Sequence, residues 1–241
     1  MSRVEVLGMG FDNFTMGEFM GRLKKRLANE QGTFIVTANP EIVMYAREHP
    51  DYQQLVDEAD FVTADGIGVV KGAQMLGTPL KERVTGYDLM ENLLQLAADD
   101  GYRVFFIGAK PGIAEKAAAK AQARFTGLQI VGTHDGYFPL GDAGVTRALV
   151  AAKPDIVFAA MGYPRQEQFI SGMRRHLPDA LFMGVGGSFD VLSGTVKRAP
   201  QVFQKAHLEW FYRLLKEPTR AKRMLVLPRY LNAVRREAKK R

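Results

Sequence analysis

Cysteine is absent from the 241 residues, which excludes disulfide scaffolds, thiolate nucleophiles and cysteine zinc sites. Histidine is scarce. His49, His134, His176 and His207 include no pair at a His-x-x-x-His ligand spacing. No stretch approaches the ~18 consecutive apolar residues that a membrane-spanning helix needs. The opening MSRVEVLGMGFDNF holds no apolar run of signal-peptide length, so the expected location is the cytoplasm. An Asp-x-Asp pair at a strand end, common in metal-dependent nucleotide-sugar enzymes, is missing. Asp99-Asp100 closes a helical stretch and Asp51 precedes one, so no metal site is expected. A dinucleotide fingerprint also fails, because Gly8-Met9-Gly10 is followed by Asn13 where the third glycine belongs. That segment reads as a tight turn. Internal repeats and low-complexity tracts are lacking too.

What is present starts with a hydrophobic share of 46%, enough for a full core. The charge is unevenly spread. Residues 197–241 carry 14 Lys and Arg against three Glu, a surplus of 11, so within the total of +7 the remaining residues carry −4.

Short apolar runs alternate with helical patterns. Strands are expected at 4–8, 32–38, 61–65, 103–109, 128–134, 155–162 and 180–187. Between them, Thr15 and Glu18 offer a capping box for a helix to about Ala28, Pro40 starts a second, and another runs from Gly66 to about Leu76. Further helices are expected at 87–99, ended by Gly101, from Pro111 to Phe125, near 142–152 and near 165–177. This order and the near-continuous apolar strands predict an α/β fold: a Rossmann-like, mostly parallel sheet with helices on both faces. Beyond Ala199-Pro200 the pattern turns helical only, broken by Pro218 and Pro228 into about three helices. The expected division is an α/β core over 1–196 and a basic helical appendage over 197–241.

Ligands of open α/β sheets bind beyond the carboxyl ends of the strands. The residues there are Thr37, Asn39, Asp65, Gly66, Gly108, Ala109, Gly136, Tyr137, Gln166, Glu167, Gly186, Gly187 and Asp190. Glycines clustered at neighbouring strand ends let backbone N–H groups approach a diphosphate, aided by helix N-termini. Each glycine singly is also an ordinary turn residue. Asp65, between a strand end and a glycine, is the sharpest candidate for a general base, and it also suits an N-cap of the helix from Gly66. Arg83, in a polar loop, suits a bidentate grip on a diphosphate, or an ion pair with Glu82 or Asp88. Gln166 and Glu167 open a helix, where either would cap or face water. In the tail, Arg and Lys interleave with Trp210, Phe211, Tyr212, Leu214, Leu215, Met224, Leu225, Val226, Leu227 and Tyr230. This suits an anionic membrane surface, with nucleic-acid binding or a solvated, packed or self-associating extension as alternatives.

The chain closely resembles the WecG/TagA/CpsF glycosyltransferases (glycosyltransferase family 26) over essentially its whole length. The blocks that carry the likeness are TANPEIV (37–43), ADGIGVV (64–70), ERVTGYDL (82–89), FFIGA (105–109), GTHDGYF (132–138), MGYPRQE (161–167), GVGGSFDVLSG (184–194) and KRAP…LEWFYRLLKEPTR (197–220). The last block looks most like the TagA branch. The resemblance implies metal-free, inverting transfer of N-acetylmannosamine from UDP-ManNAc to undecaprenyl-diphosphate-linked GlcNAc, through a β-1,4 bond that completes the linkage disaccharide of wall teichoic acid. WecG-like relatives use the uronic acid of the same sugar, and others use different hexoses. The resemblance also implies a Rossmann-like core and a C-terminal appendage that meets the membrane. It places the base on Asp65 and active-site roles on Thr37, Asn39 and Gln166. Arginines that meet diphosphates fall on Arg83, Arg213, Arg220 and Arg223. The UDP pocket falls on Gly108, Ala109, Gly136, Tyr137, Gly186, Gly187 and Asp190. No cofactor and no nucleic-acid partner is expected, and the location becomes the inner face of the cell membrane. Two readings of other classes stand beside this one. A nicotinamide oxidoreductase meets the missing third glycine, and an RNA-binding module predicts salt-dependent RNA affinity with none for UDP.

Overall fold

Six of the apolar runs pair side by side into one parallel sheet, its inner strands almost wholly buried and its edge strand β6 only partly so. A computed structural model describes residues 3–205, 209–216 and 225–240. The sheet strands are β3 (Thr33–Ala38), β4 (Phe61–Ala64), β5 (Arg103–Gly108), β6 (Gln129–His134), β7 (Ile156–Ala160) and β8 (Leu181–Gly184), in the order β4-β3-β8-β7-β5-β6. The first apolar run does not join them. β1 (Arg3–Val6) and β2 (Met9–Asp12) form a separate antiparallel hairpin. Its two-residue turn has positive φ at both Leu7 and Gly8, the geometry that suits a tight hairpin. The tight turn expected over residues 8–13 is thus confined to Leu7 and Gly8, and Met9–Asp12 is a strand instead.

Successive strand residues point to opposite faces, and each face has its own core. Phe34, Val36, Phe105, Ile107, Val157 and Phe182 pack on one side. There they meet α2 (Pro40–Glu48), α3 (Pro50–Asp57), α4 (Ile67–Met75), α7 (Ala143–Ala152) and α8 (Arg165–Arg174). Ile35, Val104, Phe106, Ile156, Phe158 and Met183 face α1 (Met16–Ala28), α5 (Gly86–Asp100), α6 (Ile113–Arg124) and the short α9 (Ser188–Leu192). The Thr15–Glu18 capping box forms at α1, and Gly101 ends α5 in the left-handed conformation. The split between α2 and α3 follows from Pro50, which cannot continue a helix but suits the first turn of the next.

The tail forms α10 (Gln201–Lys205), α11 (Glu209–Lys216) and α12 (Val226–Ala238) among the described residues. Pro228 lies in the first turn of α12 and does not break it, because a first-turn N–H has no intrahelical partner to lose. Pro218 lies outside the described residues. α12 packs on α2 and α4 and sends Tyr230 and Val234, both fully buried, into the first of the two cores. The tail is thus partly a core element. Each of these burials stabilises by roughly 1.5–3 kcal/mol relative to exposure. Among the described residues no helix is long and apolar enough to cross a membrane.

Candidate active site

The carboxyl ends of β3, β4, β7 and β8 surround a cavity of about 420 Å³. Five of the expected catalytic residues, Thr37, Asn39, Asp65, Arg83 and Gln166, line it together with Gly186 and Gly187. They come from segments far apart in sequence, and each is fixed by the element it ends or begins.

Thr37, the penultimate residue of β3, is buried, and its hydroxyl donates to the Gly184 carbonyl at 3.0 Å. Asn39 caps α2, its side-chain oxygen accepting from the Ile42 N–H at 3.0 Å. That use of the carbonyl leaves the amide NH2 as its hydrogen-bonding end toward a ligand. Asp65 follows β4, and its backbone N–H donates to Ala38 at 3.0 Å, carrying the β3–β4 pairing one residue past the strand. Its carboxylate does not cap the helix that follows. Gly66 occupies that cap without a side-chain bond, and Asp65 Oδ1 instead accepts from the Gly86 N–H, the first residue of α5, at 3.1 Å. A peptide N–H at a helix start is a strong partner for a carboxylate. Gly86 packs closely there, since a Cβ would lie 3.0–3.2 Å from the Thr37 side chain and would press on it. The start of α5 therefore touches Thr37 and orients Asp65 at once.

Arg83 differs from both expected pairings. Its partner is neither Glu82 nor Asp88 but Glu209 of α11, at 2.8 Å. Asp88 pairs with Arg198 at 2.6 Å, and Glu82 accepts from the Met16 N–H. The expectation for Gln166 and Glu167 is also corrected. Neither faces water: both are buried, Gln166 against Gly184 and Gly186 at the end of β8 and Glu167 beside Tyr52 of α3. Gln166 Nε2 donates to Glu167 Oε1 at 2.8 Å, and the Gly186 N–H donates to Gln166 Oε1 at 3.1 Å.

The remaining expected residues lie apart from this cavity or outside the described residues. Gly108, Ala109 and Gly136 meet at the ends of β5 and β6, where the Gly136 N–H donates to Ala109 at 2.9 Å. Ala109 is joined in turn to β7 through the Ala160 carbonyl at 2.7 Å. These glycine-bearing turns continue the row of strand ends but do not line the cavity. Beside them Tyr137 stands 70% exposed. Asp190 lies on α9, beyond Gly187 and off the cavity wall. The side chain of Arg213, and Arg220 and Arg223 altogether, lie outside the described residues. Lys71, Tyr163, Arg198, Trp210, Leu227, Tyr230 and Leu231 line the cavity without having been singled out for it. Trp210, Leu227 and Tyr230 carried a signal as part of the apolar series of the tail, and it was read as a membrane face. Among the described residues no three His, Asp or Glu side chains gather as a metal-binding group.

The arrangement offers the Asp65 carboxylate oriented by the start of α5, neutral hydrogen-bonding groups beside it, two further lining carboxylates in Glu41 and Glu209, and cationic groups in Lys71, Arg83 and Arg198. It can bind an anionic sugar nucleotide and take a proton from a hydroxyl. The family model described as "Glycosyl transferase WecG/TagA/CpsF family" matches residues 4–241. A Bacillus spizizenii protein named N-acetylglucosaminyldiphosphoundecaprenol N-acetyl-beta-D-mannosaminyltransferase is 46% identical over 208 residues, covering 86% of this chain and 80% of the relative. A Staphylococcus aureus (strain MW2) protein of the same name is 37% identical over 241 residues, covering 99% of this chain and 94% of the relative. The chain belongs to the WecG/TagA/CpsF family of glycosyltransferases.

Proposed function

We propose that this glycosyltransferase moves N-acetylmannosamine from UDP-ManNAc to undecaprenyl-diphosphate-linked GlcNAc, forming the β-1,4 bond of the wall teichoic acid linkage unit. The observation that carries the reading is the oriented Asp65 carboxylate in a cavity shared with Thr37, Asn39, Arg83 and Gln166. The two relatives named for this transfer match most of the chain.

In the proposed reaction the acceptor hydroxyl gives its proton to Asp65 as its oxygen attacks the anomeric carbon. UDP departs from the opposite face, so the configuration inverts. Thr37, Asn39 and Gln166 hold the two sugars in line. Charge growing on the departing diphosphate meets the Gly186 and Gly187 segment and Arg83. Preorganised donors of that kind typically contribute the largest share of such a rate. The glycine turns at Gly108, Ala109, Gly136 and Tyr137 extend the nucleotide side of the site, with Asp190 behind Gly187. Arg213, Arg220 and Arg223 are assigned to the lipid diphosphate on the family resemblance. No metal or cofactor enters the scheme.

The test is Asp65→Asn, assayed with UDP-ManNAc and a polyprenyl-diphosphate-GlcNAc. The expected outcome is a ~10²–10⁴-fold fall in kcat, the usual size of general-base catalysis. Turnover within about threefold of wild type would refute the assignment. A panel of UDP-hexoses in the same assay fixes the donor.

The acceptor is a lipid, and residues 197–241 are assigned to docking on an anionic membrane surface. In support, Arg47, Arg229, Arg236, Lys239 and Lys240 line a groove between α2 and α12, and Trp210 and Phe211 are each 39% exposed. Each basic residue near such a surface contributes on the order of 1 kcal/mol. Replacing Arg47, Arg236 and Lys240 by Glu should therefore abolish sedimentation with phosphatidylglycerol vesicles. Unchanged binding would remove the groove from the membrane face. Sedimentation without vesicles shows whether the tail also supports a homo-oligomer.

A further inference from the structure

Gln166 and Glu167 are consecutive in the first turn of α8, where side chains point about 100° apart. An acid at this position ordinarily faces water at the positive end of the helix. Glu167 is instead 0% exposed, and its Oε1 takes the Nε2–H of Gln166 at 2.8 Å. The other side of the same amide, Gln166 Oε1, takes the Gly186 N–H at 3.1 Å. A peptide N–H only donates, whatever the charge on Glu167, so the Gly186 end fixes one orientation of the amide and turns its N–H toward Glu167. The flipped amide would set N–H against N–H at Gly186, and oxygen against oxygen at Glu167 whenever that carboxyl is ionised. Gly184 makes room for this packing, since a Cβ there would lie 2.6 Å from Gln166 Nε2. The last sheet bond of this strand end is Val185 N–H to Ala159, so the Gln166 amide acts on the first residue past the sheet.

We infer that Glu167 is a positioning residue of the transfer reaction, fixing the Gln166 amide and, through it, the Gly186–Gly187 edge of the cavity. This rests on the cavity being the transfer site. Glu167 touches neither substrate; Gln166, Gly186 and Gly187 line the cavity, and Glu167 does not. The carboxyl is held at a cost, since burial pushes its pKa up to about 7. The neighbours that face it are Gln166 on its own helix and the Tyr52 hydroxyl of α3. Neither Glu167 Oε2 nor that hydroxyl has a hydrogen-bond partner at normal distance. A group kept under these conditions for stability alone would be better replaced by an apolar side chain.

The experiment compares Glu167→Ala, Glu167→Met, Glu167→Gln, Gln166→Ala, the double Gln166→Ala/Glu167→Ala and Asp65→Asn in the transfer assay. Folding is checked by thermal melts. Misplacing a reacting group by about 1 Å can cost 10²-fold. Glu167→Ala is therefore expected to lower kcat by about 10–100-fold with each KM within about threefold. Glu167→Gln keeps an acceptor for Gln166 and should recover kcat to within about threefold of wild type. The double variant should fall no further than Gln166→Ala alone, the mark of two residues acting through one contact. If Glu167→Ala does not fold, Glu167→Met fills the same space without an acceptor and decides the point. Wild-type kcat in the folded Ala or Met variant, no recovery in Glu167→Gln, or losses that multiply in the double variant would each overturn the inference. Asp65→Asn at the wild-type rate would instead overturn the assignment of the cavity. A defective Asp65→Asn beside a wild-type Glu167→Ala sinks only the role of Glu167.

Discussion

The strand ends and the tail both reach the cavity, but different forces hold them there. Thr37, Asp65 and Gln166 are tied by hydrogen bonds to backbone groups at strand ends and a helix start. Those groups are Gly184 in the sheet, Gly186 just past it, and Gly86 at the start of α5, all held by a body whose sheet is covered on both faces. α11 reaches the cavity through the ion pair of Glu209 with Arg83, whose side chains are 18% and 16% exposed. α12 is anchored by Tyr230 and Val234 in the core. The chemistry is therefore preorganised in the body, while the tail has one helix packed into the core and one that meets the body through an ion pair. A partly exposed ion pair is worth less than a buried aromatic ring, so the two parts of the tail should separate under mutation.

The largest effect on this comparison is expected from Tyr230→Ala. Loss of a fully buried aromatic typically costs about 3 kcal/mol, here read as lost amide-exchange protection over Val226–Ala238. Tyr230→Phe should cost nothing, because the hydroxyl is buried without a hydrogen-bond partner. If both variants leave α12 protected, its anchor lies elsewhere.

A second difference concerns pH. Glu167 binds its proton more tightly in the folded protein, with a pKa raised from 4.5 to about 7 by burial. The native state then holds more protons than the unfolded chain between those values. Its stability should fall as pH rises from about 4.5 to about 7 and level off above. Glu167→Gln should flatten that slope in denaturant melts. An unchanged slope would mean that another group produces it.

The smallest effect is expected at the charged contact. Glu209→Gln keeps a hydrogen-bond acceptor for Arg83 and should lower stability by about 1–2 kcal/mol in the same melts, since the pair is only 16% and 18% exposed. A loss of several kcal/mol would place α11 in the same class as α12 and erase the contrast.

Much of the fold was legible in the sequence because its signals are local. Apolar runs, the Thr15–Glu18 box and Gly101 each mark an element within a few residues of themselves. Asp65 was legible for the same reason, as an acid at a strand end before a glycine. Glu167 was not, because acids in a first helical turn normally meet water, and its burial depends on α3 lying over α8. The partner of Arg83 was missed because Glu209 is 126 residues away in sequence. Tyr230 read as part of a membrane-facing aromatic series. Its burial needs Gly72, where a Cβ would lie 2.1 Å from the tyrosine hydroxyl, and nothing near residue 230 announces that vacancy.

The central claim is that one oriented carboxylate serves a nucleotide-sugar site built from strand ends. A crystal structure of the protein with UDP tests it most directly. The account predicts the diphosphate against Gly186, Gly187 and Arg83, with the β-phosphate on the side of the cavity that Asp65 faces. UDP lodged in the basic groove between α2 and α12, or bound remote from Asp65, would contradict it.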